Sequence, residues 1–156
     1  MLTGAYVTGG VFATGALAFV VAAAALPSQA VFWSGGGIGG AAFLKAQQFA
    51  VETPGYFTIE GTALGRYLSA LNQALPDVIN EWATASSLFA SRASGVVHIF
   101  TENPLPPVFY GSTAQNIFLD IEYWALEANP NITAYVFHNV ITGEVVTITK
   151  AIADML

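Results

Sequence analysis

Apolar positions recur along the chain with a helical period first and a strand-like period later. Residues 10–26, GVFATGALAFVVAAAAL, form an uncharged apolar run closed by Pro27. A short apolar segment, residues 30–33, precedes the glycine-rich turn 34–40. Residues 41–51 then have helical spacing, with Phe43, Leu44, Ala46 and Ala50 able to share a face. Pro54 and Gly55 punctuate, and residues 56–59 read as extended chain. Residues 62–74 predict a helix with Leu64, Leu68, Leu71 and Leu75 in register. After Pro76, residues 77–93 make the most periodic stretch, its stripe running through Val78, Trp82 and Phe89. Gly95 is placed to stop that helix.

The second half changes character. Residues 96–100 (VVHIF) predict a buried strand, and the proline-rich residues 103–107 a loop. Residues 117–121 are a second strand candidate, leading into a helical stretch at 122–127. Residues 134–138 predict a third strand and 145–149 a fourth. Strands that alternate with helices and are apolar on both faces predict a small, mainly parallel sheet. The expected class is therefore α/β, with a helical N-terminal half beside a small sheet and its flanking helices. A length of 156 residues predicts one domain. It divides into an apolar leader, residues 1–29, and a folded body, residues 30–156.

Charge narrows the function. Only 9% of residues are charged, against about 25% in ordinary soluble domains. The net charge is −6, and the only four cations, Lys45, Arg66, Arg92 and Lys150, are scattered. A nucleic-acid surface needs a basic stripe, so nucleic acid is excluded as a partner. Without cysteine there is no disulfide scaffold, thiol nucleophile or cysteine zinc site. With two histidines, a His-rich metal centre is not expected. The leader has three readings: a signal-like segment without its usual positive charge, a membrane-inserting segment at residues 4–26, or a packed Ala/Gly-rich helix.

Four clusters carry candidate chemistry: Phe32-Trp33-Ser34; residues 57–65, FTIEGTALG; Trp82, Ser86, Phe89 and Ala90 followed by residues 96–98; and Phe118, Glu122 and Leu126. In that order and spacing, from Phe32 to His138, they resemble the ADP-ribosyl cyclase and NAD glycohydrolase family. The resemblance implies a cyclase-like fold and cleavage of the nicotinamide–ribose bond of NAD+, which is substrate rather than cofactor. It makes Glu122 the carboxylate that faces an oxocarbenium-like centre, the charge problem glycosidases also solve with carboxylates. It places Glu60 at the nicotinamide carboxamide, Trp33 and Trp82 as walls of the pocket, and Ser34, Ser86, Asn116 and Phe118 in the substrate site. The chain departs from the family at Gly61, where an acid is usual, at Gly35, where vertebrate members carry arginine, and at Asn116, often serine. Backbone N–H groups at the start of the 41–51 helix, with Ser34 and Ser86, are expected to take over the phosphates.

Each residue also has a plainer reading. Glu122 reads as a helix-start acid, Glu60 as part of a cap, both tryptophans as core, and His98 and His138 as hydrogen-bonded core residues. Gly35, Gly37 and Gly40 spell G-x-G-x-x-G with Glu60 about 20 residues on, a dinucleotide-binding pattern behind a strand of only about four residues. A non-enzymatic, membrane-associated module is the remaining alternative. The cysteine-free chain with its apolar leader looks like the C-terminal toxin module of a bacterial antagonism system. That implies a secreted or delivered effector that hydrolyses NAD+ in the cytoplasm of a target cell, with a cognate immunity protein as partner.

Overall fold

The computed structural model describes residues 29–74, 79–103 and 121–150. The strands are β1 (Gln29–Ser34), β2 (Tyr56–Phe57), β3 (Gly95–Thr101), β4 (Ile132–Asn139) and β5 (Val145–Thr149). The helices are α1 (Ala41–Glu52), α2 (Ala63–Ala74), α3 (Ile79–Ser91) and α4 (Tyr123–Glu127). The predicted leader, Asn116 and Phe118 lie outside the described residues, except that Gln29 already belongs to β1. Among the described residues, no helix is long and apolar enough to cross a membrane.

The five strands form one sheet in the order β2-β1-β3-β4-β5, parallel except for the antiparallel edge strand β5. Two expectations need correcting. The N-terminal half is not simply helical, because residues 30–33 become part of β1, which pairs with β3 through residues 31–34. Their continuous apolar character is what a strand covered on both faces requires. Ile121, assigned to a strand, sits instead in the helical turn that enters α4, and residues 117–120 lie outside the description.

Alternation along the strands sends side chains to two cores. Ala30, Phe32, Val97, Ile99, Tyr135 and Phe137 face α3 and α4, packing with Ala90 and Leu126. Val31 and Phe100 point the other way, onto Ala42 and Ala46 of α1. A third cluster joins α2 to α3 through Ile59, Leu64, Leu68 and Ala85, with Trp82 and Phe89 at its margin. Burial of each large side chain contributes about 1.5–3 kcal/mol, so these clusters hold the layers together. Gly65 allows the closest approach: a Cβ there would lie 2.6 Å from Glu60 Cα and against the Ile59 carbonyl. Only glycine lets α2 start this close to the loop that carries Glu60.

Candidate active site

The chain leaves β1 outward to β2 and later returns to the other side of β1 at β3. In open α/β sheets, the crevice above the carboxyl ends of the strands at such a reversal is the usual ligand position. Trp33 and Ser34 end β1, Thr101 ends β3, and Glu60 follows β2 by a short loop. Ser34 and Thr101 are buried, and the Glu102 N–H donates to the Ser34 carbonyl at 3.3 Å.

Glu60 reaches back across this end of the sheet. Trp33 Nε1 donates to Glu60 Oε1 at 2.9 Å, and Gln47 Nε2 from α1 donates to Oε2 at 3.1 Å. The capping at this turn belongs to its neighbours. Thr58 Oγ1 accepts from the Gly61 N–H at 3.2 Å, and Thr62 Oγ1 from the Gly65 N–H at 3.0 Å. Trp33 also meets Phe43 edge-on, ring centroids 5.3 Å apart.

Glu122 enters α4 and is 6% exposed. It stands at the helix start, as the plainer reading has it, but its side chain makes no capping bond there. Its carboxyl is hydrogen-bonded instead to Ser86 of α3, which is 2% exposed. Burial pushes the Glu122 carboxyl up to about 8; the Ser86 bond opposes that rise, and the charge of Glu60 adds to it. Glu60 and Glu122 therefore feel one another, although they come from segments 62 residues apart. Trp82 lies half-buried in the cluster with Ile59, the residue beside Glu60. Of the expected residues, Trp33 bonds to Glu60, Ser86 bonds to Glu122, the two carboxyls interact electrostatically, and Trp82 packs in the cluster that holds Ile59. Ser34 lies beside Trp33 on β1.

No protein-family model matches the chain, and no curated protein matches it.

The phosphate cradle has a different occupant from the one expected. Gly35, Gly36 and Gly37 all have positive φ, 96°, 65° and 67°, conformations that favour glycine. The loop they form wraps the side chain of Glu102, whose Oε1 accepts from the Ala42 N–H at 3.2 Å. Gly40 at the helix start has no side chain to cap α1, so this distant carboxylate satisfies the helix N-terminus. An anion already sits where a pyrophosphate was predicted, and the Ser86 hydroxyl is engaged with Glu122. Neither Gln47 nor Glu102 stood out in the sequence, because a glutamine on a helix and an acid after a strand carry no local pattern.

The two histidines lie elsewhere. His98 Nδ1 and His138 Nε2 are 2.9 Å apart on the α1 side of the sheet, among Phe49, Tyr56 and Phe100. They are half-buried and hydrogen-bonded to one another rather than fully buried in the core. Among the described residues, no cluster of three or more metal-ligating side chains occurs.

Proposed function

We propose that the chain is an NAD+ glycohydrolase with an ADP-ribosyl cyclase-like fold, releasing nicotinamide and ADP-ribose. The observation that carries this reading is the buried Glu122. It is bonded to Ser86 rather than to its own helix and is coupled to a second acid that an indole holds in place. A buried carboxyl without a cationic partner is a poor structural element, since desolvation disfavours its charged form. It is a good acceptor for a substrate that brings its own positive charge.

The chemistry follows from the charges. Nicotinamide leaves the ribose as a neutral molecule, so the step needs no general acid. Positive charge moves from the pyridinium nitrogen to the ribosyl centre as the bond breaks. Burial leaves Glu122 protonated at neutral pH in the free protein. A pyridinium entering beside it favours ionisation, because an opposite charge within a few ångströms lowers a carboxyl pKa. The resulting carboxylate meets the oxocarbenium-like centre in a site with little water, where preorganised charge is most effective. Trp33 and Trp82 supply aromatic faces for the nicotinamide ring, a contribution of about 1–2 kcal/mol for a desolvated cation. Water then attacks the ribosyl centre in hydrolysis; in the cyclase side reaction adenine attacks it instead. Asn116 and Phe118 join the site in this proposal. So do the biological expectations: an effector toxin acting in the target-cell cytoplasm, a cognate immunity protein, and membrane contact through residues 4–26.

The test is nicotinamide release from NAD+ by the purified chain and by Glu122→Gln. Turnover by the wild type, lost about a hundredfold or more in a folded Glu122→Gln variant, is the expected result. A folded wild-type chain that leaves NAD+ intact overturns the reading and favours a non-enzymatic module. Expression in bacteria adds the cellular arm: the wild type should deplete NAD+ and arrest growth, and Glu122→Gln should not.

One observation favours a second reading. The G-x-G-x-x-G loop does join a strand to a helix, and β1 is six residues long rather than four. Glu60 follows the next strand, as a ribose-binding acid of a dinucleotide fold would. Against it stands Glu102, whose carboxylate fills the helix N-terminus that such folds give to pyrophosphate. Reversible NAD+ binding without nicotinamide release would favour this alternative.

A further inference from the structure

Glu60 is held from two elements at once. Trp33 on β1 donates to Oε1 at 2.9 Å, while Gln47 on α1 donates to Oε2 at 3.1 Å. The same Gln47 Nε2 also donates to Thr58 Oγ1 at 2.9 Å. An amide nitrogen carries two hydrogens, and both are used. Thr58 is itself fixed: it is 1% exposed, and its Oγ1 accepts the Gly61 N–H at 3.2 Å. The order of support therefore runs from backbone to Thr58, from Thr58 to Gln47, and from Gln47 to Glu60.

We propose that Gln47 is a positioning residue for the NAD+ site, clamping the Glu60 carboxylate against the Trp33 indole so that the nicotinamide carboxamide meets an acceptor already in place. The proposal rests on the NAD+ reading above. An unrestrained glutamate side chain loses rotamer freedom when a ligand fixes it. Here donors from two different elements remove that freedom before the ligand arrives, which is how preorganisation strengthens binding. Both donors are neutral, so neither forms an ion pair with the carboxylate. Each oxygen accepts one of these bonds and retains a lone pair for a ligand N–H. If Gln47 served only to pack α1 against the loop, a methionine of the same length would replace it without consequence.

The experiment compares the full-length wild type with Gln47→Met, and with Thr58→Val as a second variant that removes the anchor beneath Gln47. Two readouts are taken: the indole N–H resonance of Trp33, assigned with Trp33→Phe, and the kinetics of nicotinamide release together with inhibition by free nicotinamide. The expected result is a displaced Trp33 resonance, with KM for NAD+ and the inhibition constant for nicotinamide each raised about tenfold, while kcat changes far less. Should Gln47→Met fail to fold, Thr58→Val is expected to show the same pattern. An unmoved resonance with unchanged KM in a folded variant overturns the proposal. A displaced resonance with unchanged KM shows that Gln47 orients Glu60 but plays no part in substrate binding, which also overturns it. A wild-type chain that releases no nicotinamide removes the NAD+ reading and the substrate role with it. The resonance then still reports separately whether the clamp exists.

Discussion

The Ser86 hydroxyl on α3 is hydrogen-bonded to the Glu122 carboxyl at the start of α4, and both side chains are buried. The bond favours the ionised carboxyl, whereas burial and the nearby Glu60 favour the protonated one, with burial the largest effect. Catalysis as proposed needs the ionised form, and kcat/KM reports the ionisation of the free enzyme. Expected is a kcat/KM for NAD+ that rises about tenfold per pH unit up to about 8 and then levels. Ser86→Ala removes the bond that favours ionisation, so the rising limb should move to higher pH. A flat profile between pH 6 and 9 would show that Glu122 does not govern the step.

The same carboxyl makes stability depend on pH in a predictable direction. Its pKa in the fold, about 8, lies above the ordinary 4.5. The folded state therefore binds this proton more tightly than the unfolded chain does. Stability from this group is fully present below about 4.5 and is lost as pH rises through about 8. Glu122→Gln has nothing to ionise. In thermal melts at pH 9, where the wild type carries the whole penalty, the variant should be the more stable by roughly 2–5 kcal/mol. At pH 5 the advantage should nearly vanish. A variant less stable than the wild type at pH 9 would contradict a carboxyl whose ionised form burial disfavours.

The expected elements and their neighbours were legible to different degrees. Helices 41–51, 62–74 and 77–93 appear as α1, α2 and α3 with modest shifts at their ends, because amphipathic spacing is a local property. The strand around Val97 and Ile99 was equally plain, its apolar run being covered on both faces. Ile121 falls in a helical turn rather than a strand, since a short apolar run has the same composition in either. In the candidate site, Trp33, Glu60, Trp82, Ser86 and Glu122 were legible only as an ordered set of residue types. The Trp33–Glu60 and Ser86–Glu122 contacts depend on the fold, which no local pattern encodes. Glu102 and Gln47 remained hidden for the same reason, since each acts on a partner brought near by the fold.

The histidine pair responds to acid in the opposite sense to Glu122. Burial, reinforced by the neighbouring His138, lowers the His98 pKa to about 4, and burial lowers that of His138. The rings of Phe49 on α1, Tyr56 on β2 and Phe100 on β3 pack against the pair, Lys45 and Glu144 share a hollow with His138, and among the described residues no carboxylate is hydrogen-bonded to either imidazole. The fold therefore favours neutral imidazoles, while the unfolded chain takes up protons near 6.5. This stabilisation is complete above about 6.5 and is lost as pH falls towards 4. Urea midpoints should drop between pH 6.5 and 4 in the wild type. The double variant His98→Leu, His138→Leu should lose most of that drop, although it gives up the mutual bond. An unchanged acid slope in the double variant would place the acid sensitivity elsewhere.

Asn129 links the helix that carries Ser86 to the helix that Glu122 enters. Its Nδ2 donates to the carbonyls of Ala90, Ser91 and Ala93 at 3.0, 3.0 and 2.8 Å, closing the C-terminal end of α3. Its Oδ1 accepts from the Asn131 N–H at 2.9 Å. From just past β5, Lys150 Nζ donates to the carbonyls of Leu126, Glu127 and Asn129 at 3.0, 2.6 and 2.7 Å, closing α4. Asn129 is only 4% exposed, so truncation strands carbonyls that water reaches poorly. Asn129→Ala should lower stability by about 2–3 kcal/mol, whereas Lys150→Met, at a half-buried position, should lower it by about 1–2 kcal/mol. The catalytic consequence separates the two further. Asn129 ties the exit of α4 to the end of α3, so Asn129→Ala should also shift the pH limb of kcat/KM upward, as Ser86→Ala does. Among the described residues Lys150 Nζ bonds only to carbonyls of α4 and its exit, and Lys150→Met should leave the limb in place. Identical pH profiles for wild type and a folded Asn129→Ala variant would show that the Ser86–Glu122 contact does not depend on this link.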